Sequence, residues 1–250
     1  MPARLDPDAH LTHLEAQGAL VADAARRGDL DAPVEACPGW TLREAVHHLG
    51  RVHRRVAIVI TQRRSDHRSI PAEELGPMPA DAELGEWYLE SLGRVHGAIA
   101  ALSPEDHDVA TFGPATSPRA FWARRQACEA GIHRLDVETA AGGEVAAFDP
   151  DFAADGIEEM WDVFLGWLKD LRADPARSLH LHATDADGEW LLEIGPDTVT
   201  AQRRHARADC AVRATASDLF ALVWNRRSRE APEVFGDRAV LDLWRRGARI

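Results

Sequence analysis

The stretch FWARRQACEAGIHRLDVETAAG, residues 121 to 142, decides the fold. Read from Arg119 to Ala141 it is one long helix, stopped by Gly142 and Gly143 in the place where helices commonly end. Working outward toward the N-terminus, three more helices precede it. His10 to Ala25 carries Leu11, Leu14, Val21, Ala22 and Ala25 at helical spacing and stops at Gly28 and Asp29. Gly18 falls on that apolar face, where it permits a close neighbour. The connector Cys37-Pro38-Gly39-Trp40 leads into Thr41, and Thr41 with Glu44 forms a capping box that starts a helix running to about Ile60. Residues 61 to 80, with Ser65, Ser69, Pro71, Gly76, Pro77 and Pro79, read as a loop or a broken short helix. Asp81 to Leu102 then supplies a third helix with Leu84, Tyr88, Leu92, Val95 and Ile99 on one side. Four such helices predict a helical bundle.

After Phe148-Asp149-Pro150 the pattern changes. A helix from Phe152 to about Leu171 is followed by strand-like runs at Leu179 to Ala183, Trp190 to Ile194, Val199 to Gln202 and Cys210 to Ala214. Short helices at Ser217 to Trp224 and Asp237 to Arg245 close the chain. The fold class expected is therefore α+β: a four-helix bundle over residues 1–150, then a small helix-plus-antiparallel-sheet domain over 151–250.

Bulk properties narrow the function. The chain of 250 residues is 45% hydrophobic, ample for a core without disulfides. Cys37, Cys128 and Cys210 are odd in number and widely spaced, so they read as reduced thiols. The opening MPARLDPDAH lacks an export signal and the apolar run Val56 to Ile60 is too short to span a bilayer, which points to the cytoplasm and to no membrane role. A formal net charge of -12 argues against nucleic acid as a partner. Basic clusters at Arg51, His53, Arg54 and Arg55, and at Arg226 and Arg227, read as solvated helix surface or as sites for a carboxylate or sulfonate.

Chemistry concentrates on the fourth helix. Glu129 and His133 are four residues apart, one turn along a single face, and can bind one divalent ion from one rigid element. His48, flanked by Val46, Leu49 and Val52, is the natural third ligand from the second helix. Two histidines and a carboxylate with an open position is the donor set of catalytic zinc, whereas structural sites close with four protein ligands. The same spacing also suits a salt bridge, and a lone His48 suits a buried, satisfied imidazole. His47, about 100° around the helix, and His53 lie off the shared face. Asp136 either hydrogen-bonds a ligand histidine or an incoming group, or pairs with Arg134 or Arg125. Trp40 serves as a core staple or a pocket wall. Cys37 reads as buried structure, and Cys128 as no fourth ligand.

Two segments taken together resemble a known family. PVEACPGWTLREAVHHLGRVHR, residues 33 to 54, has a CPGWT turn followed by His48-Leu49-Gly50, and residues 121 to 142 have the pattern Arg124, Arg125, Glu129, His133, Arg134, Asp136. Both are similar to the mycothiol-dependent maleylpyruvate isomerase family, itself similar to DinB-like metal-binding bundles with a sterol-carrier-like C-terminal domain. The SDLFALVWNRR run and the Gly236-Asp237 turn extend the likeness over nearly the whole chain. The resemblance implies zinc or another divalent metal on His48, Glu129 and His133, and mycothiol as a thiol cosubstrate near Trp40. It also implies Arg226 or Arg227 reaching the carboxylates of thiol or substrate, with Arg227 and Asp136 assisting catalysis. Asn225 stands where many relatives have glycine, which leaves open which arginine makes that contact.

The function so implied is a metal-dependent transferase or isomerase that holds a low-molecular-weight thiol as thiolate for addition to a small electrophile. The alternative is a non-catalytic small-molecule or lipid carrier whose metal braces the bundle.

Overall fold

In a computed structural model, residues 5–67 and 70–249 are described; Ser69 of the expected loop and the first four residues of MPARLDPDAH lie outside them. The chain divides into two compact units, Asp6–Ala146 and the part from Ala147 onward.

The first unit is the bundle. Helix α1 spans Pro7–Arg27, α2 Leu42–Thr61, α3 Leu84–Ala100 and α4 Pro118–Ala141. The starts follow from side-chain caps. Asp6 accepts from Ala9 N, Ser117 accepts from Ala120 N, and Thr41 and Glu44 make the reciprocal capping box. Val21, Ala22, Leu42, Val46, Leu49, Leu84, Tyr88 and Val137 form one buried core. Gly18 does admit a neighbour, since a Cβ there would stand 2.4 Å from Leu92 Cδ2. The described residues between Thr61 and Asp81 form a loop interrupted by a 3-10 turn at Ala72–Leu75.

One expectation fails in α2. The basic run was to be solvated surface or an anion site, yet His53 and Arg54 are buried. Arg54 is tolerated there because its guanidinium is satisfied: Nε donates to Ser91 Oγ at 2.7 Å, NH2 meets Glu90 Oε2 at 3.0 Å, and the group lies 4.6 Å from the Trp87 ring centroid. The His53 ring shares a 2.8 Å hydrogen bond with Gln126 Oε1. Burial pushes its pKa down from 6.5 to about 4, outweighing the raising effect of Gln126 and Glu129. A histidine with a depressed folded pKa takes up its proton mainly on unfolding, so stability is lost as pH falls from 6.5 toward 4. The loss is on the order of 3 kcal/mol. Urea unfolding at pH 7 and pH 4.5 should show that His53→Gln has a smaller pH-dependent loss than the parent chain.

The second unit contains helix α5, Pro150–Glu159, which continues as a π turn at Met160–Phe164 and a 3-10 turn at Leu165–Trp167. Strands β1 Arg177–Ala183, β2 Glu189–Ile194, β3 Val199–Arg203, β4 Cys210–Ala214 and β5 Glu233–Gly236 form one sheet in the order β3-β2-β1-β4-β5. Helix α6, Ala216–Val223, precedes β5 and α7, Arg238–Gly247, follows it. The sheet is not wholly antiparallel as expected, because β1 and β4 run parallel with Leu179 opposite Cys210 and Ala183 opposite Ala214. Two hairpins place β3 beyond β2, and the chain then crosses the sheet through residues 204–209 to reach the free side of β1. Parallel neighbours cannot be joined by a tight hairpin and need such a crossover. The strand β5, four residues long and next to Pro232, carried no alternation long enough to read. One sheet face, with Leu179, Leu181, Trp190 and Leu192, is buried, and the Trp190 indole donates to Glu158 of α5 at 3.2 Å.

Candidate metal centre

The connector before α2 is a turn that aims an aromatic ring. Trp40 N donates to Cys37 O at 3.0 Å, with Pro38 at the second position and Gly39 at φ +88°. This is the type II pattern, which requires positive φ at its third residue. Val34 N donates to Trp40 O at 2.9 Å, and the capping box then fixes the start of α2. Trp40 is thereby held with its ring centroid 4.7 Å from that of His48 and 6.0 Å from that of His133. It is half-buried, packs against the bundle core and stands beside both imidazoles, so its place serves both readings of it.

The structure brings His48, Glu129 and His133 together. Glu129 Oε1 lies 3.6 Å from His48 Nε2 and 3.6 Å from His133 Nε2. Metal bonds of about 2.0–2.2 Å at tetrahedral angles separate neighbouring ligand atoms by about 3.4 Å. The donor set and its spacing therefore fit one divalent cation. The other carboxylate oxygen, Oε2, accepts from Arg125 NH2 at 2.5 Å. That ion pair was missed in the sequence, although Arg125 and Glu129 stand at the same four-residue spacing as Glu129 and His133.

The electrostatics favour a charged carboxylate. Burial works to raise the pKa of Glu129, but the Arg125 guanidinium and the two imidazoles outweigh it and hold the carboxyl well below the usual range. On His133 burial acts to lower the pKa, while Asp136 and Glu129 together raise it to about 9. Asp136 is buried and its Oδ2 lies 2.9 Å from His133 Nδ1, which turns His133 Nε2 toward Glu129. Of the two readings of Asp136, the structure shows the bond to histidine. Asp136 Oδ2 also accepts from Cys37 Sγ at 3.6 Å. Cys37 is half-buried, packs against the bundle core and also stands beside the centre, because the turn that presents Trp40 carries its sulfur too. His47 turns to Trp87, at a centroid distance of 5.2 Å, and Cys128 is buried outside the triad. The His48 side chain keeps 37% of its surface exposed, so solvent reaches the triad.

Arg226 and Arg227 belong to the second unit. With Arg229 and Arg245 they line a cavity of about 620 Å³. Arg226 is half-buried, its NH1 donating to Trp224 O at 2.8 Å, while Arg227 is exposed. Asn225 takes φ +56°, the conformation a glycine would adopt freely, and its amide donates to Ala248 O at 2.6 Å. The side-chain bond fixes the turn that precedes both arginines.

The described residues contain no helix long and apolar enough to cross a membrane. No curated protein matches the chain. Family models do match: the mycothiol maleylpyruvate isomerase N-terminal domain over residues 11–138, and the C-terminal domain of the same family over 151–243. Among solved structures, a crystal structure of the mycothiol-dependent maleylpyruvate isomerase is similar with a TM-score of 0.61 at 14% identity, covering 92% of this chain and 93% of that one. A histidine-to-alanine mutant of that enzyme is similar with a TM-score of 0.60, also at 14% identity. With a helical bundle, a mixed helix-and-sheet unit and both family models matched in order, the chain belongs to the mycothiol-dependent maleylpyruvate isomerase family.

Proposed function

We propose that the chain is a metal-dependent thiol transferase or isomerase, with zinc as its metal, mycothiol as its thiol and a small electrophile as its substrate. The observation that carries this reading is the single Glu129 oxygen at 3.6 Å from two imidazole nitrogens, at a place that solvent reaches. A divalent ion in that donor set lowers the pKa of a thiol brought to it, so that sulfur is available as thiolate at neutral pH.

The chain's own residues do the rest. Arg125 fixes one carboxylate oxygen and leaves the other to the cation. Asp136 holds the His133 ring through Nδ1, which sets its tautomer and keeps Nε2 as the ligating atom. Trp40 walls the histidines on one side, limiting where thiol and electrophile sit. In the second unit, Arg226 and Arg227 supply cationic donors suited to carboxylates on the thiol or the substrate. Addition of the sulfur to an activated double bond gives an adduct that rotates and expels the thiol in an isomerase, or is retained in a transferase. The carrier alternative has less support, because the triad faces solvent instead of being sealed in an apolar tunnel.

The test is conversion of maleylpyruvate and a panel of electrophiles with mycothiol, before and after chelation. Activity should vanish on complete metal removal and return with zinc; full activity in the stripped protein would sink the proposal.

A further inference from the structure

A second group of ligating side chains lies on the C-terminal sheet. His180 and His182 alternate along β1 and so share one face; Glu189 stands directly opposite His182 on β2 and joins them there. The crossover from β3 to β4 passes this face and carries His205 with it. Three imidazoles thus converge on one carboxylate. His182 Nδ1 lies 2.6 Å from Glu189 Oε1, while Oε2 lies 2.6 Å from His205 Nδ1 and 3.6 Å from His180 Nε2.

His180 is the telling member. It is 5% exposed, and its Nε2 is a buried atom without a hydrogen-bond partner, aimed at the carboxylate from a distance too long for such a bond. A buried imidazole in this position calls for a partner. Ligand atoms of His180, Glu189 and His205 lie within 4.8 Å of one another. The His205 side chain is 81% exposed, so its ring can turn to exchange the bond to Glu189 for a shared cation. Nearby Arg203 is neutralised by Asp187 at 2.7 Å.

The geometry points to a second metal site, in which His180, Glu189 and His205 bind a divalent transition ion of the zinc type and His182 orients Glu189 from behind. Two imidazoles and one carboxylate suit zinc, nickel or copper over magnesium or calcium. The hydrogen bond from His182 is the outer support that ligating carboxylates commonly have. A cavity of about 500 Å³, lined in part by Glu189 and His205, adjoins the site and leaves room for a further ligand. Such an ion would pin the crossover to the sheet.

The experiment is calorimetric titration of the untagged, chelator-stripped full chain with zinc chloride. The parent chain should bind two equivalents, His205→Ala one, His48→Ala one, and the double variant none. Because His205 is exposed, its substitution leaves the fold intact, which circular dichroism verifies; Glu189→Gln is the second variant. The proposal is overturned if His205→Ala and Glu189→Gln both retain the parent stoichiometry, or if His48→Ala alone abolishes all binding. The second result would leave the bundle site standing, so the two assignments fail separately.

Discussion

Replacing His48 with alanine is expected to strip the metal from the bundle and with it the thiol chemistry. The triad has one ligand from α2 and two from α4, so removing His48 leaves Glu129 and His133, both on one helix, to hold the ion alone. Loss of a partner behind a ligand typically weakens metal affinity 10–100-fold. Loss of the ligand itself should exceed the upper end, about 100-fold, and activity should fall at least in proportion. Asp136→Asn is the graded comparison: it keeps the side-chain shape beside His133 while removing the charge, and should fall within the 10–100-fold range. Metal content after dialysis, with turnover at fixed mycothiol, distinguishes the two. Equal affinity in His48→Ala and the parent would remove His48 from the site.

The second large effect concerns stability and lies away from the metal. Arg134 has a fully buried side chain, and its NH1 donates to Glu138 Oε2 at 2.5 Å and to Ala146 O at 2.8 Å. Removing one member of a buried ion pair leaves its partner's charge desolvated and costs about 3–5 kcal/mol. Glu138→Ala should therefore lower the free energy of unfolding by that amount. Replacing both residues, as Arg134→Met with Glu138→Leu, should recover most of it, because no charge then stays behind. Denaturant titrations of the parent, the single and the double variant check both statements. A loss under about 1 kcal/mol in Glu138→Ala would place the pair among ordinary surface ion pairs.

These cases show which parts of the structure could be read from residues. The bundle was legible because its helices carry local signals: the Thr41 and Glu44 box, the Gly142 stop, the apolar rows of α1 and α3. The spacing of Glu129 and His133 and the place of His48 in an apolar run suited a metal triad, a salt bridge or a buried imidazole alike, and it was the resemblance of the two segments to the family that singled out the triad. What escaped depends on pairings distant in the chain. The burial of Arg54 needs Ser91 and Glu90 from α3, and Cys37 meets Asp136 across 99 residues. The parallel pairing of β1 with β4 is a property of the crossover, not of either strand. His180 and Glu189 are close in sequence, but nothing in the composition of residues 203–209 announced that His205 would be laid over them.

The hold of Arg125 on one oxygen of Glu129 has a consequence for the kind of molecule the bundle attracts. With that oxygen engaged, two neutral imidazoles and a single carboxylate would give a divalent ion only part of the negative charge it needs. The guanidinium adds a further positive group close by. An anionic sulfur is electrically suited to such a place, and a neutral thioether or alcohol is not. Selectivity for a thiol over its capped derivatives would then begin with net charge, before shape is consulted.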